Sequence, residues 1–332
     1  MKYTIDGHFD LLSDVFLRRK NGEHEVIRRL YLPSFQKGNV TGIVASIFVD
    51  SCYLPYGALE IAMEQIASLH CEIRETPDCL MLCTCADDFI KAAAEGKIGI
   101  LLSFEGAEPV SSPLILHAFY AAGVRGLGLA WSRRNAAADG CDFKGNLKKG
   151  GLTQLGESIV KEAESLRMML DLSHLSDEGV EDVLSITSCP VIASHSNARA
   201  LAHNNRNLTD AQMCEIARRG GIAGINGCSI ITADKNENAN MDMLTAHLNY
   251  LIDQMGDEHV GFGFDFCDTF LKGSSSQDLE KMPAYPFDIL SGAHADIPAF
   301  LEHLRKTGYS KARIDKIAGE NWIRTFRSIF GH

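Results

Sequence analysis

Residues 189–226 read CPVIASHSNARALAHNNRNLTDAQMCEIARRGGIAGIN. The segment opens on an apolar run around Val191 to Ala193, with the β-branched content of a buried strand. It closes on a second such run, Ile222 to Asn226. Between them, Asp210 to Arg219 is punctuated as a helix. Thr209 and Gln212 form a capping-box pair at its start, and Gly220-Gly221 suits a left-handed stop at its end. A strand, a helix and at once another strand is the repeating unit of a parallel sheet.

The same rhythm extends in both directions. Strand-like runs end near His8, Phe48, Phe104, Ala130, Ser173, Ser194, Asn226 and Phe264, which makes eight. CLMLCTC (residues 79–85) is a ninth run, either an accessory strand or none. Helical spacing marks residues 58–74, through Ile61, Ile66, Leu69 and Ile73, and also residues 87–96 and 152–167. No repeat, low-complexity stretch or long linker interrupts the series. Eight units over about 265 residues suit a closed (β/α)8 TIM barrel of the α/β class better than an open sheet. The expectation is one domain over residues 1–332. Its barrel spans about residues 1–268, a Ser- and Gly-rich loop follows at 272–277, and helical material from about 278 packs against the barrel.

The net charge of -11, with no basic stripe, argues against nucleic acid or an anionic membrane as partner. Arg18-Arg19-Lys20 and Arg28-Arg29 read as solvated clusters. No run approaches the roughly 20 apolar residues of a membrane span, and Met1-Lys2-Tyr3 leads straight into a strand without a signal-peptide pattern. The chain therefore reads as cytoplasmic, and its ten cysteines as reduced thiols. Cys83-x-Cys85 reads as buried core before it reads as a thiolate metal pair.

Five runs end on metal-ligand residue types: TIDGHFD (4–10), KIGILLSFEG (97–106), MMLDLSHLS (168–176), CPVIASHSN (189–197) and HVGFGFDFCD (259–268). They deliver His8 and Asp10, Glu105, His174, His195 and Asp265. Each alone has a plain structural explanation, such as a capped turn, a satisfied histidine or an arginine pair. Their recurrence at corresponding strand ends does not, because a barrel opens all those ends on one face. His8 and Asp10, two apart on a strand, point the same way and suit one metal ion. His174 and His195 suit a second, and the two oxygens of Glu105 can bridge them. Nitrogen and oxygen donors without cysteine favour Zn²⁺, with Mn, Fe or Co also compatible. The other nine histidines read as structural or surface residues.

These motifs resemble the membrane (renal) dipeptidase family of zinc peptidases, in a bacterial-type form. The matching segments run in order: DGHFDLLSD, LLSFEGAEPV, LDLSHLSDEGVEDVL, PVIASHSNARAL, RNLTDAQMCEIARRGGIAGIN, HVGFGFDF and, near the C-terminus, GENWIRTF. The resemblance implies a TIM barrel with two Zn²⁺ ions, one held by His8 and Asp10, the other by His174 and His195, with Glu105 between them. It further implies that Asp265 is the catalytic carboxylate, that Arg206 grips the C-terminal carboxylate of a dipeptide, and that the chain forms a homodimer. One departure is plain. Where mammalian members carry a substrate-contacting histidine, GLGLAWSRRN places Trp131, a pocket wall or a single indole N–H donor. EGAEP likewise replaces an EGGH-like motif, and Glu108 receives no role.

The reaction so implied is hydrolysis of a dipeptide bond, L-L and also L-D, by a metal-bridging hydroxide, with Asp265 moving the proton. Two other readings remain open on the sequence. One is a binuclear-metal barrel hydrolase acting on lactones, phosphoesters or cyclic amides. The other is a non-catalytic ligand-binding barrel.

Overall fold

The structure is a computed structural model that describes residues 2–142, 150–268 and 286–331. Among the described residues, nine parallel strands alternate with helices: β1 (Ile5–Phe9), β2 (Gly42–Ile47), β3 (Leu80–Leu82), β4 (Ile98–Glu105), β5 (Val124–Gly128), β6 (Met169–Asp171), β7 (Val191–Ala193), β8 (Ile222–Ile225) and β9 (Val260–Phe262). Pairing of β2 with β4 closes eight of them into a TIM barrel. The ninth, β3, arises from the CLMLCTC run and stands outside the ring. It pairs with Ile98, Gly99 and Ile100 of β4, while β5 pairs further along with Leu102 to Glu105. One long strand thus serves two short neighbours on the same edge. The run is a genuine strand, yet it adds nothing to the barrel count. Cys83 lies buried beside it against Phe89 and Leu101, as core.

The helices form where the periodicity places them: Ala58–Glu75, Ala86–Ala94, Gln154–Ser165 and Asp210–Arg218. At Thr209 the hydroxyl accepts from the Gln212 amide and the Gln212 side chain accepts from the Thr209 amide, so two otherwise orphaned donors are satisfied. Gly220 takes the stop at φ +78°, a left-handed conformation that favours glycine.

Two apolar layers hold the barrel. The larger lies between sheet and helices and contains Phe9, Ile43, Phe104, Leu127, Ile225 and Phe262. The smaller fills the barrel near the starts of its strands, where Ile5, Val44, Leu101, Met169, Ile192 and Ile222 meet Trp322 and Phe326 of the C-terminal helix Asn321–Phe330. A Cβ at Gly7 or Gly261 would overlap the Trp322 indole, whose N–H donates to the Phe262 carbonyl at 2.9 Å. Glycine at those two positions admits the ring that plugs this end. The polar groups are left to the opposite mouth. Residues 272–277, read above as a Ser/Gly loop, and the start of the stretch after 278 lie outside the described residues.

Candidate metal centre

The first strand brings His8 inward by an irregularity rather than by simple alternation. Asp6 pairs with Ile43 and Phe9 with Ala45, so three steps on β1 match two on β2. A bulge of this kind resets which face each side chain takes. Asp6 and Phe9 both lie outside the ring. Asp6 bonds His294 Nε2 at 2.8 Å, and the His294 ring packs edge-on against Phe9 and Phe35. Gly7 and His8 lie inside. Asp10 stands one residue past the strand, with a hydrogen bond from the Ser46 hydroxyl.

Glu105, the last residue of β4, sits at the centre. Its Oε1 lies 2.9 Å from His174 Nε2 and 3.6 Å from His195 Nε2. Its Oε2 lies 3.5 Å from His8 Nε2, which is 3.6 Å from Asp10 Oδ1 and 3.9 Å from Asp265 Oδ1. The donor atoms fall into three overlapping groups: His8, Asp10 and Glu105; Glu105, His174 and His195; His8, His195 and Asp265. For a tetrahedral zinc ion with bonds of about 2.0–2.1 Å, neighbouring ligand atoms stand about 3.3 Å apart. The spacings bracket that value.

Three features test whether cations fit here. First, His8 Nε2 and Glu105 Oε2 are buried without a hydrogen-bond partner, a costly state unless something else satisfies them. Second, His174 Nε2 and His195 Nε2 face each other at 3.0 Å. Burial, with the positive charges of Arg206 and His8 nearby, holds both imidazoles well below their usual range. Two neutral rings whose Nε2 atoms converge at that distance suit a shared cation. Third, carboxylates crowd together. Burial and the Asp10 charge push Glu105 well above the ordinary carboxylate range, and burial pushes Asp265 up to about 6. Burial opposes protonation of His8, but the charges of Glu105 and Asp10 outweigh it and hold that ring well above its usual range. Divalent cations would offset the cost of burying these carboxylates as well as their mutual repulsion. The residues present fit a metal pair.

Two residues of the cluster adopt left-handed backbone, His174 at φ +67° and Asp265 at φ +58°. Such conformations are sparsely populated outside glycine and gather at functional sites. Asn226 Nδ2 donates to Asp265 Oδ2 at 2.9 Å and leaves Oδ1 toward His8. Ser132 Oγ lies 2.7 Å from His174 Nδ1, and Ser194 Oγ lies 2.6 Å from His195 Nδ1. The sequence reading assigned no role to Asn226, Ser132, Ser194 or Asp171. Each is a polar residue at or just beyond a strand end, the same signal that singled out the histidines.

Arg206 lies in the loop after β7 and is buried at 7% exposure. It donates to Ser196 Oγ at 2.6 Å and to the His195 carbonyl at 2.8 Å, which ties the guanidinium to the cluster. Trp131, just past β5, stands with its ring 5.8 Å from that of His174 and 5.2 Å from Phe48. Arg133 covers the indole at 5.2 Å and donates to Glu108 Oε1 at 2.9 Å, so Glu108 steadies the wall beside Trp131. All eight residues singled out from the sequence therefore border one buried site. A further group, Cys267, Asp268 and Asp288, is already satisfied: its carboxylates accept the amides of Cys267, Asp268, Phe287 and Asp288.

Known proteins with this pattern are consistent in kind. The family model for membrane dipeptidase (peptidase family M19) matches residues 2–330. An uncharacterised Klebsiella pneumoniae protein from the pqqA 5' region is 31% identical over 284 residues, covering 83% of this chain and 99% of its own length. Dipeptidase verJ of Clonostachys rogersoniana is 30% identical over 339 residues, covering 98% and 81%. Among solved structures, a metallo peptidase from Rhodobacter sphaeroides liganded with a phosphinate mimic of the dipeptide L-Ala-D-Ala superposes with a TM-score of 0.83. It is 26% identical and covers 98% of this chain and 99% of that one.

Proposed function

Because the chain belongs to the membrane dipeptidase family (peptidase family M19), a family of metallo-dipeptidase hydrolases, we propose that it hydrolyses L-L and L-D dipeptides with two Zn²⁺ ions held by His8, Asp10, Glu105, His174 and His195. The observation that carries this reading is the divided carboxylate of Glu105: one oxygen addresses His174 and His195, the other His8, and that second oxygen has no hydrogen-bond partner. The ions, when bound, polarise the scissile carbonyl and acidify water.

The protein's own groups do the rest. Arg206, anchored to Ser196 and the His195 carbonyl, presents its remaining N–H donors to the substrate carboxylate. That limits substrates to those ending one residue beyond the scissile bond. Asp265 Oδ1 accepts the proton released by the attacking water and returns it to the leaving amine. Asn226 keeps the other oxygen occupied, so a single basic atom faces the reaction. Trp131 with Phe48 forms an apolar wall where an imidazole would otherwise stand. Such a wall supplies no imidazole acid, and the return of the proton is assigned to Asp265. The bound phosphinate in the Rhodobacter sphaeroides peptidase supports acceptance of a D-configured second residue. A homodimer remains the expected assembly.

The test compares a set of L-L and L-D dipeptides, their C-terminal amides, and lactone and phosphoester substrates. Wild type should cleave free dipeptides and discriminate against the amides. Arg206→Ala should raise KM for free dipeptides by about 10- to 100-fold, the worth of a charge-assisted bond of about 1.5–3 kcal/mol, and abolish that discrimination. Unchanged KM, or preference for lactones or phosphoesters, would shift the assignment to another metal-dependent barrel hydrolase.

A further inference from the structure

Behind His195 stands a chain of buried polar groups whose proton positions are dictated from one end. Asp171, the last residue of β6, accepts the amide of Ser173 at 3.0 Å and that of Ser194 at 2.9 Å, both through Oδ1. Its Oδ2 is hydrogen-bonded to the Ser194 hydroxyl, which in turn lies 2.6 Å from His195 Nδ1. Asp171, Ser194 and His195 are all at most 6% exposed. A carboxylate that accepts two amides through one oxygen serves here as an acceptor, and a hydroxyl has one proton to give. The Ser194 proton must therefore go to Asp171. The Ser194 oxygen then accepts, and His195 must carry its own proton on Nδ1. Nε2 is left with a lone pair aimed at His174 Nε2 and Glu105 Oε1.

Among the described residues, no carboxylate is hydrogen-bonded to Ser132 behind His174 as Asp171 is to Ser194 behind His195. His174 Nδ1 meets Ser132 Oγ at 2.7 Å, but that hydroxyl also lies 3.5 Å from the Cys141 thiol, and either can donate. The two imidazoles at the same position of the cluster are thus held differently, one fixed and one adjustable.

We infer that Asp171, acting through Ser194, is a positioning residue that fixes the His195 tautomer and so sets the affinity of the metal position shared by His174 and His195. The inference rests on the metal-binding reading of His195 given above. Outer groups of this kind commonly change metal affinity by about 10- to 100-fold.

Asp171→Asn gives the sharpest test, because the Ser173 and Ser194 amides hold the side-chain oxygen at the Oδ1 position. The new amide nitrogen must then occupy the Oδ2 position and donate to Ser194. The hydroxyl turns and donates to His195 Nδ1, which drives the ring proton onto Nε2, where the metal belongs. Ser194→Ala only removes the relay and leaves the tautomer free, so its effect should be smaller.

Two measurements on the purified full-length protein decide the matter. Zn²⁺ titration against a chromophoric chelator should show two ions in wild type. The affinity for one of them should fall about 10- to 100-fold in Asp171→Asn and less in Ser194→Ala. Long-range ¹H–¹⁵N spectra of the metal-free protein should show His195 protonated on Nδ1 in wild type and on Nε2 in Asp171→Asn. Wild-type zinc affinity in Asp171→Asn, or an Nε2-protonated His195 in wild type, overturns the inference. Should Asp171→Asn fail to fold, Ser194→Ala carries both readouts, and undiminished affinity together with a retained Nδ1 proton would overturn it. Wild type that binds no zinc would instead sink the proposed function, and the spectra would still decide the relay.

Discussion

Asn226 uses every polar group it has. Its amide donates to Asp265 Oδ2 at 2.9 Å and to the His195 carbonyl at 3.3 Å, its side-chain oxygen accepts the Cys228 amide at 2.6 Å, and its own N–H donates to Asn197 Oδ1 at 3.0 Å. Asn226→Asp keeps the shape but replaces the donor with a second acceptor facing Asp265. Loss of a hydrogen bond to a charged group is worth about 1.5–3 kcal/mol, so kcat for dipeptides should fall about 10- to 100-fold with zinc content unchanged. Steady-state kinetics beside metal analysis would check this, and an unaltered kcat would remove Asp265 from the proton path. At this scale the sequence singled out His8, Glu105, His174 and His195, which the fold brings together, because buried metal-ligand types at strand ends are conspicuous. It did not reveal Asn226 or Asp171, because an asparagine or aspartate in a turn has many ordinary uses. Only the contacts distinguish a turn residue from one that holds a carboxylate or orders a ring.

Between elements, the first two long helices are joined by apolar packing of Phe16 with Ala58 and Ile61 and by an electrostatic tie. Arg19, at the end of Leu11–Lys20, reaches both Glu72 and Glu75 of Ala58–Glu75, and it meets both oxygens of Glu75 at 2.8 Å. Read from sequence, Arg18-Arg19-Lys20 was merely a solvated cluster, but Arg19 is the clamp of this helix pair. Hydrogen bonds from Arg19 hold the Glu75 carboxyl down to about 2, below its ordinary value of 4.5. A carboxyl depressed by folding stabilises the native state above its unfolded pKa, and that contribution disappears as pH falls through the folded value. Glu75→Gln should therefore be less stable than wild type at pH 7, by about 1 kcal/mol for a partly exposed pair within a network. The gap should close between about pH 4.5 and pH 2, as followed by urea unfolding across that range. A gap independent of pH would mean that packing, not charge, joins the helices. The strands show a related limit of sequence reading. The CLMLCTC run has strand chemistry, but only the pairing register shows that it borders half of β4 instead of joining the ring.

For the whole molecule, the two ends of the barrel have opposite chemistries. One is plugged by Trp322 and Phe326 among aliphatic side chains; the other gathers three carboxylates and three imidazoles in a buried cluster. A cluster of that composition stores repulsion that bound cations cancel, so metal and fold should be linked. Chelation of the purified protein should abolish dipeptide hydrolysis and lower Tm, and added Zn²⁺ should restore both. A ligand at about 1,000 times its Kd stabilises by about 4 kcal/mol. A Tm indifferent to chelation would mean that no cation is held by these groups. The sequence by itself determined the alternation of strand and helix, hence the parallel barrel, and determined which strands end in ligand-type residues. Both follow from local patterns, hydrophobic period and turn chemistry, which a linear reading captures. Tertiary structure alone decided the β1 bulge that turns His8 inward, the two-sided use of Glu105, and the relay from Asp171 to His195. Each depends on register and on distances between residues remote in sequence, and local pattern leaves those free until the ring closes.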